Sequence, residues 1–319
     1  MRLKRHWYGQ FRVSAGLTLA GTVGLLSLQV FSQPNNNPFR DHSDTGETVH
    51  VLPTPASVHS PRDTNPTDAA VKGQVSVYPA SYGSGNLINH GGKILSSAQF
   101  YAVYWNSSVA NSTATSLGNA NIRNQIANFV GSFNGSPDYT IVQQYTGSNG
   151  TIAPTIPFSD YVDSKATQSI IKDSAIHSYL GNLFQTSKLT AQENAIYGIY
   201  FPPGMKVQLS GSMSCSGFCG YHSHFTYNGI QIKYAVFPYL NCGGCSLAGK
   251  TVADMLTIVS SHEIREAATD PGDNNVNAWY DASGYEADDK CAWHNLYQMV
   301  SGFWVQPEYS NKDTGCVVP

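Results

Sequence analysis

The most informative segment of this chain reads Thr251-Val-Ala-Asp-Met-Leu-Thr-Ile-Val-Ser-Ser-His-Glu-Ile-Arg-Glu-Ala-Ala-Thr-Asp-Pro271. Thr251 and Asp254 have the spacing of a capping box, with Asp in place of the usual Glu. Because proline cannot continue a helix, Pro271 marks its end. Apolar residues recur in between at helical intervals: Val252, Met255, Leu256 and Val259. The segment is predicted to be a helix that packs one face against a core.

The same helix carries an H-E-x-x-E motif. His262 and Glu266 are four residues apart, so they lie one above the other on one face and could share a metal ion. A catalytic zinc site needs three protein ligands and an open position for water. Glu263 has the place of the general base in H-E-x-x-H peptidases, where it takes a proton from that water. The motif predicts a zincin-like site with Glu263 as the catalytic residue.

Several residues are candidates for the remaining ligand. His222 would give a His-Glu-His set, which suits the preference of zinc for nitrogen, whereas Glu286 would give a His-Glu-Glu set. We favour His262, Glu266 and His222, with Glu286 as the alternative ligand and Asp289 supporting the ligands. A carboxylate-rich set that includes Glu266, Glu286 and Asp289 would instead make Ca²⁺ or Mn²⁺ credible.

A helix can also carry these residues without a metal. His262 would then be a hydrogen-bonded core residue, and Glu263 and Glu266 would be solvated. The apolar turns before His262 favour the metal, because an unpaired charge near a core is costly and a metal ion compensates for it.

Composition excludes several function classes. The 319 residues are 41% hydrophobic and 12% charged, with a formal net charge of −3. This length suffices for one sizeable core. There is no dense run of Lys and Arg, so we expect no nucleic acid partner. The sequence also lacks a G-x-S-x-G elbow, a P-loop and a dinucleotide fingerprint.

The N-terminus predicts export. Four basic residues in the first 12 (Arg2, Lys4, Arg5 and Arg12) precede an uncharged stretch over 13–30. This pattern is typical of a signal peptide, which we assign to residues 1–33, and an uncleaved signal anchor is the alternative. We expect a secreted, extracellular protein with no membrane association after cleavage.

Two further regions follow. Residues 34–85 are rich in Pro, Asn, Ser and Thr, which predicts a disordered stalk or a pro-segment. Residues 86–319 are predicted to form a single α+β domain with a mixed sheet and a few helices. Strands are expected at 98–105, 139–145, 194–201 and 232–239, and helices at 119–133 and 164–184 as well as in the opening segment.

All six cysteines lie in the C-terminal part of the chain: Cys215, Cys219, Cys242, Cys245, Cys291 and Cys316. An even number in an exported protein favours disulfide bonds, and six cysteines allow 15 connectivities. The pairs Cys215/Cys219 and Cys242/Cys245 could instead hold a structural zinc ion. The C-terminal half is therefore predicted to be cross-linked.

Several segments resemble the EXORDIUM, or phosphate-induced protein 1, family. The resemblance covers about residues 86–319 and is most specific in the later motifs. Those motifs are Phe218-Cys-Gly-Tyr-His-Ser-His-Phe-Thr, His262-Glu-Ile-Arg-Glu-Ala-Ala-Thr-Asp-Pro, Ala278-Trp-Tyr, Glu286-Ala-Asp-Asp-Lys-Cys and Gln306-Pro-Glu-Tyr-Ser. This chain departs from the family in its Cys242-Gly-Gly-Cys245 segment and in a shorter segment before Glu286.

The resemblance implies an extracellular protein, because plant members of the family are linked to cell-wall-associated growth control. It brings no catalytic residue set or cofactor with it. We therefore expect a secreted zinc-dependent hydrolase of peptidase type, acting on extracellular peptide or cell-wall material. The alternative is a non-enzymatic extracellular signalling or binding protein with a structural metal site.

Overall fold

A seven-stranded mixed β-sheet forms the centre of the protein in the computed structural model, which describes residues 37–58, 75–272 and 276–319. The strands of this sheet are β1 (Arg40–His42), β2 (Thr48–Pro53), β5 (Gln99–Tyr104), β6 (Phe158–Val162), β8 (Ala195–Tyr200), β10 (Phe218–Tyr227) and β11 (Ile230–Phe237). The described part of the chain also contains short strands that form smaller sheets: β3 (Ser76–Tyr78), β4 (Ile88–Asn89), β7 (Ile170–Lys172), β9 (Lys206–Gln208), β12 (Trp279–Tyr280), β13 (Tyr297–Gln298), β14 (Trp304–Val305), β15 (Glu308–Ser310) and β16 (Gly315–Val318).

The main sheet has the strand order β1-β2-β10-β11-β8-β5-β6. The pairs from β1 to β11 are antiparallel, whereas β11, β8, β5 and β6 are paired in parallel. The α+β class and the mixed sheet predicted from the sequence are confirmed.

Helices cover both faces of this sheet. They are α1 (Pro55–Val58), α2 (Ser107–Ala110), α3 (Ile122–Phe133), α4 (Pro137–Thr140), α5 (Asp173–Gln185) and α6 (Val252–Thr269). Successive residues of a strand point to opposite faces. Phe100 and Tyr104 of β5 accordingly pack in one core with α3 and α6, whereas Val103 packs in a second core with α5.

Helix α6 has the beginning and the end that the sequence predicts. The hydroxyl of Thr251 accepts a hydrogen bond from the Asp254 amide, and the Asp254 carboxylate accepts one from the Thr251 amide. The helix ends at Thr269, two residues before Pro271. Almost all of its residues are buried, so its polar side chains must find partners inside the protein.

Two predictions about secondary structure need correction. The strand expected at 139–145 is wrong, because helix α4 and a 3₁₀ helix (Ile141–Gln144) occupy this segment. Pro137 in the first turn starts this helical segment, and the aromatic content reflects burial instead of strand pairing. The helix expected at 164–184 begins only at Asp173, after the short strand β7.

The ordered part of the chain begins earlier than the expected boundary at residue 86. Strands β1 and β2 lie within the predicted stalk at 34–85, and β2 pairs with β10 in the main sheet. The reason is local: Thr48–Pro53 alternates exposed and buried residues as a half-buried strand does, so that segment buries apolar surface against β10. The predicted signal peptide (1–33) and residues 34–36 and 59–74 of the predicted stalk lie outside the described residues.

Three disulfide bonds cross-link the C-terminal half: Cys215–Cys242, Cys219–Cys245 and Cys291–Cys316. The alternative of a structural zinc ion at the first four cysteines is therefore wrong. Disulfides form in oxidising environments, so the protein is suited to such a compartment. In the described ranges, no helix has the length and apolarity needed to cross a lipid bilayer.

Candidate metal centre

Four structural elements bring seven ionisable side chains together behind a surface cavity. Strands β2 and β10 contribute one histidine each, helix α6 contributes three residues, and the segment after β12 contributes two. We call this group the histidine–carboxylate cluster: His50, His222, His262, Glu263, Glu266, Glu286 and Asp289. The five candidate ligands and supporting residues predicted from the sequence all belong to it, together with Glu263.

The two strand histidines face each other across an antiparallel pair. His50 of β2 is directly opposite His222 of β10, so the two side chains lie on the same face of the sheet. Their rings stack with centroids 5.2 Å apart. Tyr221, the residue before His222, packs in the core on the other face. The alternation along β10 therefore turns His222 toward helix α6.

A glycine allows this strand and helix to approach closely. A Cβ atom on Gly220 would lie 2.4 Å from Cγ1 of Val259 and 3.0 Å from Oε1 of Glu263. Both contacts are to α6, one turn apart. Cys219 is bonded to Cys245, which ties the same part of β10 to the segment that leads into α6. The position of His222 against the helix is thus held covalently and by close packing.

Helix α6 directs three side chains into the cluster. Oε2 of Glu263 lies 3.1 Å from Nδ1 of His222, with hydrogen-bonding geometry. Oε2 of Glu266 lies 2.9 Å from Nε2 of His262 and 3.7 Å from Nδ1 of His222. Although Glu266 and His262 are close, Nε2 of His262 makes no hydrogen bond. Glu266 therefore lies between the two histidines that the sequence predicts as its co-ligands.

The segment after β12 closes the cluster from the other side. Oε2 of Glu286 lies 3.7 Å from Nε2 of His222 and is in closer contact with Nδ1 of His50. The Asp289 amide donates to Glu266 Oε1 at 2.9 Å, and its carboxylate accepts from the Glu286 amide. Its Oδ1 lies 3.8 Å from Nε2 of His262. These backbone hydrogen bonds fix both acids relative to α6.

The cluster is almost closed to solvent. The His50 side chain is 11% exposed, His222 is 3% exposed, and the helix residues are at most 1% exposed. Burial disfavours the charged form of every group here. It lowers the pKa of His50 to about 4 and that of His262 to about 3, and it lowers the pKa of His222 well below its usual value.

The carboxyl groups are perturbed in the opposite direction. Burial, reinforced by repulsion from neighbouring acids, raises the pKa of Glu263, Glu266 and Asp289 well above the usual range. Burial also raises the pKa of Glu286 well above its usual value, although the guanidinium of Arg40 opposes this shift. Because their pKa values are raised, these carboxyl groups favour the protonated, neutral form when no metal ion is bound. A divalent metal ion would replace those protons.

A neighbouring buried network uses different residues. The guanidinium of Arg265 donates to the Asp288 carboxylate and lies 3.2 Å from Oε2 of Glu308. It also donates to the backbone oxygens of Asp138 and Gln306. This network pairs its acids with a cation, in contrast to the histidine–carboxylate cluster.

The cluster meets solvent at one cavity of about 500 Å³. His50, His222 and Asp270 are among the residues that line it. The other lining residues are mostly polar: Arg40, Glu47, Thr48, Ser223, His224, Pro271, Gly272, Asn277 and Tyr280. His262, Glu263 and Glu266 are not among the lining residues. Access from solvent is therefore to the strand histidines, not to the H-E-x-x-E helix face.

Comparisons were made with protein-family models, curated proteins and solved structures. None of them gave a match to this chain. The resemblance to the EXORDIUM family accordingly stays a prediction based on the motifs quoted above.

Sequence reasoning missed two residues of this region. His50 lies in the segment expected to be disordered, although the alternation in Thr48–Pro53 is a strand signal that could have placed it. Asp270 directly follows helix α6 and was predicted neither as a ligand nor as a catalytic residue. Its Oδ1 accepts a hydrogen bond from the Ala278 amide at 2.6 Å, whereas Oδ2 is buried without a hydrogen-bond partner.

Proposed function

We propose that this protein is a secreted, metal-dependent hydrolase of peptidase type that works at the cavity above the histidine–carboxylate cluster. One observation carries the proposal. Buried imidazole and carboxylate atoms without hydrogen-bond partners, including Nε2 of His222 and both oxygens of Glu286, converge beneath a solvent-accessible cavity. Leaving such atoms unpaired is costly, and a shared divalent cation would satisfy them together.

Zinc is the ion that fits this donor set best. The cluster offers neutral imidazole nitrogens together with carboxylates, which is the combination found in catalytic zinc sites of peptidases. Ca²⁺ prefers six to eight oxygen ligands, which makes three imidazoles unfavourable, and Mn²⁺ is the closer alternative. A bound ion of this kind supplies Lewis-acid chemistry, since it polarises a carbonyl group and lowers the pKa of water.

The cavity has the size and polarity for part of a peptide. Ligand pockets commonly measure about 300–1,000 Å³, and the cavity falls in that range. Arg40 and Tyr280 on its wall supply a cation and an aromatic ring, with the guanidinium carbon 5.3 Å from the ring centroid. Such a wall would bind polar or anionic groups of an extracellular peptide or of cell-wall material.

Asp270 is better placed than Glu263 to move a proton at the cavity. Glu263 is fully buried and directed to Nδ1 of His222. Asp270 lines the cavity beside both strand histidines, and the Ala278 amide holds one oxygen while the other is without a hydrogen-bond partner. Burial and the nearby Glu286 raise the pKa of Asp270 to about 7, which suits a group that exchanges protons near neutrality.

The proposal is tested with the purified, disulfide-bonded protein. We expect about one zinc ion per chain by elemental analysis, as a single catalytic site requires. We also expect chelator-sensitive cleavage of an unbiased peptide library. Asp270→Asn should abolish cleavage and retain zinc, while Asp313→Asn, an exposed carboxylate outside the cavity, should change neither. A folded protein that binds no divalent metal after dialysis against zinc would overturn the proposal.

The second candidate is a non-enzymatic extracellular binding or signalling protein with a structural metal site. The closure of His262, Glu263, Glu266 and Asp289 from solvent favours it, because structural sites are closed whereas catalytic sites keep an open position. The same experiment separates the two candidates. Stoichiometric zinc without cleavage of any peptide would favour the binding protein.

A further inference from the structure

We infer that the metal ion is bound between the two strand histidines and Glu286, through Nδ1 of His50, Nε2 of His222 and Oε2 of Glu286, and that helix α6 orients these ligands without binding the ion. This inference rests on the proposed presence of a metal in the cluster. It replaces the H-E-x-x-E ligands by a set that includes His50 of the hairpin formed by β1 and β2.

Three ligand atoms without hydrogen bonds converge at this position. Ligand atoms of His50, His222 and Glu286 lie within 4.8 Å of one another. All three are buried and none has a hydrogen-bond partner. Ligand atoms around a tetrahedral zinc ion with bonds near 2.0–2.1 Å are roughly 3.3 Å apart. The 3.7 Å between Nε2 of His222 and Oε2 of Glu286 is close to that spacing, whereas Nδ1 of His50 is in closer contact with the same oxygen and would have to move apart from it around an ion. Two imidazoles with one carboxylate form an established catalytic zinc set.

The other ring nitrogen of His222, Nδ1, lies against the carboxylate of Glu263. A neutral imidazole has one N–H donor and one acceptor. If Nδ1–H donates to the Glu263 carboxylate, the lone pair is on Nε2, which is the atom that faces Glu286. A carboxylate behind a histidine ligand fixes its tautomer and ring orientation in many metal sites. Glu263 therefore acts as a positioning residue for His222.

His262 is excluded as a ligand by the contact of its ring with Gln306. Nε2 of Gln306 donates to the backbone oxygen of Asp288 at 2.7 Å, which fixes which end of the amide faces that oxygen. The same nitrogen lies 3.0 Å from Nδ1 of His262 and 3.3 Å from Oδ1 of Asp288, so the ring atom is the nearer acceptor for its second hydrogen. With Nδ1 accepting, Nε2 of His262 carries the hydrogen and has no lone pair for a metal.

The amide of Gln306 cannot simply turn over. A reversed amide would place its oxygen 2.7 Å from the Asp288 carbonyl oxygen, where two acceptors repel. The N–H of His262 instead faces Oε2 of Glu266, whose other oxygen accepts from the Asp289 amide. His262 and Glu266 thus form the support beneath the ligands.

Solvent reaches the strand histidines but not the inner residues of the cluster. His50 and His222 line the cavity, so an ion between them would have an open side toward solvent. An ion at His262 would be enclosed by buried side chains. Because a catalytic zinc needs an open position, the outer set is compatible with hydrolysis.

The experiment measures zinc affinity by competition with a chromogenic chelator. His50→Ala and Glu286→Gln should each weaken binding by more than about 100-fold, beyond the loss typical of residues behind the ligands. His262→Ala should weaken it by no more than about 10–100-fold, the loss typical of a residue behind the ligands. His42→Ala is the matched control, because His42 is an exposed histidine on the same hairpin and should leave affinity unchanged. Near-ultraviolet circular dichroism verifies that each variant is folded.

Crystals of the zinc-loaded wild type give a second readout that needs no variant. An anomalous peak between His50, His222 and Glu286 supports the inference. A peak between His262 and Glu266, or unchanged zinc affinity of folded His50→Ala, overturns it while the proposed metal-dependent function stands. A wild-type protein that binds no zinc instead refutes the proposed function itself.

Discussion

Nδ1 of His222 and Oε2 of Glu263 are 3.1 Å apart, and this contact joins strand β10 to helix α6 inside the cluster. It gives the glutamate of the H-E-x-x-E motif a partner other than solvent. Glu263 is 0% exposed, and it is not among the residues that line the cavity, whereas His222 is. The contact thus distinguishes a glutamate that orients a ligand from one that acts on water.

The two roles of Glu263 make different predictions for Glu263→Gln. An orienting residue should lower zinc affinity by about 10–100-fold when replaced, and excess zinc should restore part of the peptide cleavage. A catalytic base would give normal zinc affinity and no cleavage at any zinc concentration. Titrating both variants Glu263→Gln and Asp270→Asn with zinc, while following cleavage, separates the two. We expect zinc rescue for the first and none for the second.

The metal-free protein should lose stability as the pH rises above neutrality. The carboxyl pKa of Glu286 is raised by burial, so its contribution to folding is complete below the unfolded value of 4.5 and is lost as pH rises through the folded value. The pKa of His50, lowered to about 4, changes the free energy of unfolding only below the unfolded pKa of 6.5. Between about pH 6.5 and 8 the acids therefore dominate.

Thermal unfolding with a chelator and with zinc tests this dependence. The Tm of the metal-free protein should fall from about pH 6.5 to 8, and the increase in Tm caused by zinc should grow over the same range because protons compete less with zinc for the ligands as the pH rises. A metal-free Tm that rises across this interval would contradict the assigned pKa directions.

Gly220→Ala should disturb the contact between β10 and α6. The added Cβ would lie 2.4 Å from Cγ1 of Val259, so the helix or strand must shift. We expect a loss of about 1–3 kcal/mol in the free energy of unfolding, together with weaker zinc binding. Gly131→Ala in α3 is the control, because no atom lies within 4 Å of its added Cβ. That change should stabilise the protein by about 0.5–1 kcal/mol. Denaturant unfolding measures both, and equal effects would refute the close-approach argument.

Arg265→Ala should be strongly destabilising without removing a ligand. It leaves the buried Asp288 and Glu308 carboxylates without their cation, which costs about 3–5 kcal/mol for a buried pair. Arg123→Ala breaks an ion pair with Asp160 in which the arginine is 47% exposed, and it should cost about 1 kcal/mol or less. Equilibrium unfolding in guanidinium chloride measures the difference. A similar loss for both variants would mean that the buried network contributes little.

Local sequence signals were reliable where one element decides its own conformation. The Thr251–Asp254 capping box and the apolar stripe of α6 predicted that helix closely, because caps and helical spacing act within a few residues. Strands β5, β8 and β11 were recognised from another local signal, their short runs of aromatic and β-branched residues. The segment at 139–145 was assigned wrongly, because a short buried aromatic run has the same composition in a strand and in a helical turn.

The sequence by itself determined that His262 and Glu266 are adjacent, since a spacing of four residues on a helix leaves no other arrangement, and Glu266 Oε2 is indeed 2.9 Å from His262 Nε2. It did not determine which groups the two imidazole rings contact. Tertiary structure decided that, because it brings Gln306 to Nδ1 of His262 and Glu263 to Nδ1 of His222, and the pairing of β2 with β10 adds His50. Hydrogen bonds between residues far apart in the chain depend on packing that no local pattern encodes.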